Sequence, residues 1–143
     1  MLKKTQMTTP RLSEAVASFP RGLKVELDNT IMMFISGTAS VGPKGESCHP
    51  GDFHAQAMHT YKNIQSLLEE QNASFKDIVK FTIYLKDMKK DYDNLNKARD
   101  LFFQEIGFTR QTIPASTCVQ ASLCREELLI EIEAIAMVPK RSS

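Results

Sequence analysis

Apolar positions along the chain fall into blocks whose spacing switches between the period of a strand and that of a helix. Residues 24–35 carry apolar side chains on both sides of Asp28-Asn29, the pattern of a β-hairpin. Within that block, residues 31–35 are apolar at every position, which suits a strand covered on both faces. A turn-rich loop with Gly42-Pro43-Lys44-Gly45 and Pro50-Gly51 follows. Asp52 is then placed to cap a helix in which Phe53, Ala57, Tyr61, Ile64 and Leu68 recur at helical spacing, ending near Asn72. Residues 78–85 alternate, with Val79, Phe81, Ile83 and Leu85 on one face and Lys80, Thr82 and Tyr84 on the other, so a strand is predicted. A second helix runs from Asp91 through Tyr92, Leu95, Ala98, Phe102 and Ile106 and stops at Gly107. Pro114 bars a helix beyond it, and residues 117–121 and 129–137 read as strands. Residues 1–20 lack a clear period and are expected to form an arm, and residues 139–143 a frayed tail.

This order predicts an α+β fold with two helices on one face of a mixed sheet, in a single domain over residues 1–143. The last strand tests the layering. Ile130, Ile132, Ala134, Ala136 and Val138 make a wholly apolar face fit to lie under the helices. The opposite face mixes Leu129, Ile135 and Met137 with Glu131 and Glu133. Two helices cannot cover both faces of a sheet that is apolar on each, so a homo-oligomer that joins the helix-free faces is expected.

Composition narrows the function more than the fold. The chain has 18 Lys+Arg against 17 Asp+Glu, a formal charge of +1, which offers no broad attraction to nucleic acid or to anionic lipid. Polar Thr5, Gln6, Thr8 and Thr9 follow the Met1-Leu2-Lys3-Lys4 start, so neither a secretory signal nor a membrane span is expected. Cys48, Cys118 and Cys124 are an odd number without a Cys-x-x-Cys pair, which fits reduced thiols in the cytoplasm.

Most familiar chemistries fail on spacing. His54 and His59 are five residues apart, about 140° on a helix, so their rings diverge; with His49 and Cys48 they do not complete a metal set. No metal and no cofactor are expected. Gly42-Pro43-Lys44-Gly45-Glu46 lacks phosphate-loop spacing, and Ser36-Gly37 lacks the setting of a serine nucleophile. Glu131 and Glu133 remain. They share a strand face about 7 Å apart, and a desolvated carboxyl there would have a raised pKa suited to proton transfer. The alternative is a structural ion pair with Lys80 or an arginine. Cys118, inside a strand, is either a small buried hydrophobe or a nucleophile.

Taken in order, Ile35-Ser36-Gly37, Gly51-Asp52 with Gln56, Val79-Lys80, Leu85-Lys86-Asp87-Met88, Asn96, Pro114-Ala115 and Glu131-Ile132-Glu133-Ala134-Ile135-Ala136 resemble the Rid/YjgF family of reactive-intermediate deaminases. The likeness extends over about residues 19–138. It implies a chorismate-mutase-like fold and a homotrimeric barrel with small-molecule clefts between subunits. It also implies Glu131 as the catalytic group that positions water to hydrolyse an imine, with Phe19, Ser36, Gly37, Asn96, Ser116 and Cys118 binding substrate. In the deaminases an arginine that clamps the substrate carboxylate stands where this chain has Ser116, and Phe19 lacks the hydroxyl of a frequent tyrosine. A hydroxyl cannot imitate the two parallel charged bonds of a guanidinium. The resemblance therefore implies a divergent hydrolase or deaminase with little activity on 2-iminopropanoate, or, alternatively, a non-catalytic metabolite-binding regulatory trimer. Arg110 and Arg125 are the candidates to restore the missing charge. Ribonuclease activity, described for some of that family, ranks third, because no basic stripe with aromatic platforms is present.

Overall fold

The Asp28-Asn29 turn closes as expected, with the Leu27 N–H donating to Thr30 O at 2.8 Å. It joins β2 (Gly22–Glu26) to β3 (Thr30–Ala39) in the computed structural model, which describes residues 2–14 and 18–141. Residues 15–17, within the expected arm, and 142–143, within the expected tail, lie outside the described residues. The remaining strands and α-helices are β1 (Lys3–Met7), α1 (Phe53–Glu69), β4 (Ile78–Leu85), α2 (Met88–Ile106), β5 (Ala115–Gln120) and β6 (Ile130–Pro139), with a short 3-10 turn at Phe75–Asp77. They form one six-stranded sheet in the order β1-β2-β3-β6-β4-β5. Every pairing is antiparallel except β4 with β5, which is parallel and is connected through α2, as a parallel pair requires a crossover.

The start of the chain differs from the expected arm. Lys3–Met7 adds a strand against β2, and Met7 and Leu12 are buried. At the other end Lys140 N–H donates to Asn29 O at 2.9 Å, holding the last described residues to the hairpin turn.

Both helices start at an aspartate. Asp52 accepts from Ala55 N–H and Asp87 from Lys90 N–H, so α2 begins earlier than its apolar spacing suggests, and the left-handed Gly107 (φ 88°) ends it. Their apolar stripes meet the Ile130, Ile132, Ala134 and Ala136 face of β6, all almost fully buried. Between helices and sheet, Tyr61 stacks on Phe102 (centroids 5.0 Å, 11° between planes), and Phe75 and Phe81 close the cluster edge-on or tilted.

One face assignment is corrected. A register shift between Ile78 and Lys80 in the β4/β6 ladder turns Val79 out to 43% exposure, and Ile78 takes its place in the core with Phe81, Ile83 and Leu85. On the helix-free face, Phe34 pairs with Ile135 and Met32 with Met137, and Phe34 and Met137 are each 40% exposed. Among the described residues no helix is long and apolar enough to cross a membrane.

Candidate functional site

The β3/β6 ladder breaks between Ile35 and Thr38, and that break makes the site. Ser36 turns to the preceding segment: its N–H donates to Arg21 O at 3.1 Å and its hydroxyl to Pro20 O at 2.7 Å. This brings Phe19 and Arg21 beside the bulge. Gly37 then faces Glu131 so closely that a Cβ would overlap the Glu131 carboxylate, which accounts for glycine at this position. The result is a cleft of about 630 Å³ lined by Phe19, Arg21, Ser36, Gly37, Arg125 and Glu131, with Leu128, Val41 and Ala39 supplying apolar wall.

Glu131 stands in the row Ala39-Glu131-Tyr84 across three strands. Its neighbour Glu133 accepts a short hydrogen bond from the Tyr84 hydroxyl, and that bond is the main reason Tyr84 holds its proton more firmly than usual. Glu131 receives no hydrogen bond from the described residues. Burial first, and the charge of Glu133 second, push its pKa above the ordinary carboxylate range. Of the partners expected for this pair, Lys80 instead donates to Thr117 Oγ1 at 2.6 Å, and among the described residues no arginine pairs with either carboxylate.

Asn96, Ser116 and Cys118 come together elsewhere. In the parallel register Ser116 lies beside Phe81 and Cys118 beside Ile83, residues whose side chains point under the helices, whereas Glu131 lies beside Tyr84 on the opposite face. Phe19, Ser36, Gly37 and Glu131 thus form one group, and Asn96, Ser116 and Cys118 a second on the other face of the same sheet. The second group has its own cation. Arg99, one turn beyond Asn96 on α2, donates to Asn96 Oδ1 at 2.6 Å and reaches Ser116 Oγ at 3.5 Å. Burial pushes the Cys118 thiol up, with Arg99 pulling weakly the other way, so it remains a neutral thiol packed against the core.

Of the cations expected to replace the absent arginine, Arg125 lies in the Glu131 cleft rather than at Ser116, and Arg110 sits in the exposed turn after α2. Arg99 and Arg21 had escaped the sequence reading. The available signals were the three-residue helical step from Asn96 and the position two residues after Phe19. Among the histidines, His49 and His59 meet edge-on at 5.4 Å, and His59 Nδ1 bonds the buried Ser40 hydroxyl at 2.8 Å. Among the described residues no three His, Cys, Asp or Glu side chains are placed to hold a metal ion.

The family model for Endoribonuclease L-PSP matches residues 11–138. A 2-iminobutanoate/2-iminopropanoate deaminase of Escherichia coli is 34% identical over 132 residues, 92% of this chain and 95% of that protein. A RutC family protein of Pyrococcus abyssi is 31% identical over 135 residues, 94% of this chain and 98% of its own. The crystal structure of E. coli TdcF with bound serine superposes with a TM-score of 0.77 at 31% identity, covering 92% of this chain and 97% of that one. The E. coli YjgF gene product gives 0.77 at 33% identity, with coverage of 92% and 97%. A match over nearly the whole length, in sequence and in fold, makes this chain a member of the Endoribonuclease L-PSP family, the Rid/YjgF proteins.

Proposed function

We propose that the protein is a divergent Rid-type hydrolase or deaminase, working as a homotrimer whose helix-free sheet faces form a central barrel. The observation that carries this reading is the split site. Glu131 and the Ser116 group occupy opposite faces of one sheet, so a cleft using both needs two copies, one supplying Glu131, Ser36, Gly37 and Phe19 and the other Asn96, Ser116 and Cys118. The half-exposed Phe34 and Met137 favour the same contact.

Glu131 is suited to a proton-transfer role because it stands unbonded in the cleft with a raised pKa. As a carboxylate it accepts a proton from water while the water oxygen bonds to the carbon of a C=N group. It gives that proton to the nitrogen, which yields a carbinolamine; the carbinolamine hydroxyl then passes its proton through the same carboxylate to the amine nitrogen as the C–N bond breaks, and a carbonyl compound and ammonia leave. Arg99 restores a positive charge near Ser116 but from the helix, bound to Asn96, and not from the strand position itself. A small 2-imino acid is therefore held with the wrong geometry, and loss of such a clamp costs about 2 to 5 kcal/mol.

Two measurements test the reading. Imine generated by an amino-acid oxidase and followed through ammonia release should give little turnover of 2-iminopropanoate; activity matching the arginine-bearing deaminases would refute that expectation. On any imine or enamine that a wider screen finds to be turned over, Glu131→Gln should lower kcat by about a hundredfold or more. Full activity in that variant removes Glu131 from the mechanism. Saturable metabolite binding without turnover of any such substrate would favour the regulatory trimer instead.

A further inference from the structure

The Glu131 cleft holds two guanidinium groups that the hydrolytic reading does not use. Arg21 donates through Nε to Ser13 O at 2.8 Å and through Nη2 to Ser13 Oγ at 2.9 Å. Arg125 donates through Nη1 to Gly45 O at 2.7 Å and to Ser47 Oγ at 3.0 Å. The two supports abut, since a Cβ on Gly45 would sit 3.4 Å from Ser13 Oγ. Each arginine is thus fixed by uncharged acceptors, and among the described residues neither forms an ion pair. The nearby acid Glu127 accepts from the Ser47 hydroxyl at 2.8 Å and feels the charge of Arg125 without forming an ion pair with it. A guanidinium carries five N–H groups. Two are used on each side chain, and the rest have no acceptor among the described residues. Burial and then the charge of Arg125 pull Arg21 below its ordinary pKa, as expected of two cations that share one cleft.

We propose that Arg21 and Arg125 form an anion subsite that takes the carboxylate or phosphate of a small organic acid. The body of that acid lies against Phe19 and Leu128, and its polar far end reaches toward Glu131. Guanidinium pairs suit such groups because their planar N–H forks match paired oxygens. The charge of the ligand would then be recognised on the subunit that supplies Glu131 and away from Ser116. This rests on the cleft being the ligand site but not on hydrolysis occurring there.

Isothermal titration of the full-length protein with propionate, inorganic phosphate and, as a cation control, propylamine, at constant ionic strength, tests the subsite. One anion should bind saturably and the amine should not, and whichever anion binds more tightly identifies the preferred head group. Arg125→Gln should weaken that binding about tenfold or more. Arg125→Lys should recover part of it, and circular dichroism checks that each variant is folded. Saturable anion binding in a protein that turns over no imine or enamine leaves the subsite standing and removes the hydrolase, which separates the two failures. Absence of saturable anion binding, or equal affinity in the natural chain and Arg125→Gln, overturns the proposal.

Discussion

Glu131 and Gly37 set each other's requirements. The carboxylate occupies the space a side chain at residue 37 would fill, so Gly37→Ala should swing the carboxylate out of place at little cost in stability but with loss of most of any Glu131-dependent activity. The same carboxyl works against the fold at neutral pH. Because its folded pKa lies above the unfolded value, the folded state binds the proton more tightly, and stability falls as pH rises from the ordinary carboxylate range through the raised value. Glu131→Gln should therefore melt at a higher temperature than the natural chain at neutral pH, with the gain vanishing below about pH 4. A constant gain across that range would show that its surroundings do not disfavour the charged carboxylate. Strand alternation put Glu131 and Glu133 on one face, and only the family resemblance singled out Glu131. Arg99 and Arg21 were not legible, because Arg99 matters through its reach to Ser116 and Arg21 through sharing a cleft with Arg125, neither of which exists until the chain has folded.

Among the elements, α1 does more than cover the sheet. Its buried face includes Gln56 and Asn63, polar residues within the apolar stripe. Gln56 donates to His49 O and Glu127 O and accepts from Leu129 N–H, pinning the segment that carries Arg125. Asn63 donates to Ala39 O and Val41 O just past β3. Gln56→Leu should leave those backbone groups unpaired and cost about 2 to 4 kcal/mol by chemical denaturation, more than a surface change on the same helix. Helical periodicity revealed α1 and α2 because many apolar residues share one face. It could not reveal why Gln56 sits there, since hydrogen bonding to loops leaves no period. The first strand was illegible for a related reason: of Lys3–Met7 only Met7 is buried, so no alternation is written into it. Val79 was misplaced because a bulge shifts the phase of alternation without changing the residues that alternate.

For the whole molecule, the layering came through from the sequence because each β6 face has a distinct composition, and the family likeness extended it to nearly the full chain. The helix-free face gives the test of assembly. Phe34→Glu places a charge beside Ile135 and near the partly exposed Met137, and should shift sedimentation from the proposed trimer toward monomer while leaving the far-ultraviolet spectrum unchanged. A natural chain that sediments as a monomer would remove the shared cleft.

In the proposed trimer, the division of the Glu131 and Ser116 groups between the two faces of the sheet would have a genetic consequence. A variant damaged only at Glu131 and one damaged only at Ser116 would each be inactive alone, yet every ring containing both would assemble one cleft from two undamaged halves. Random mixing of equal amounts in a three-fold ring recovers about a quarter of natural activity. Two dead alleles would then complement each other, and two alleles damaged in the same half would not.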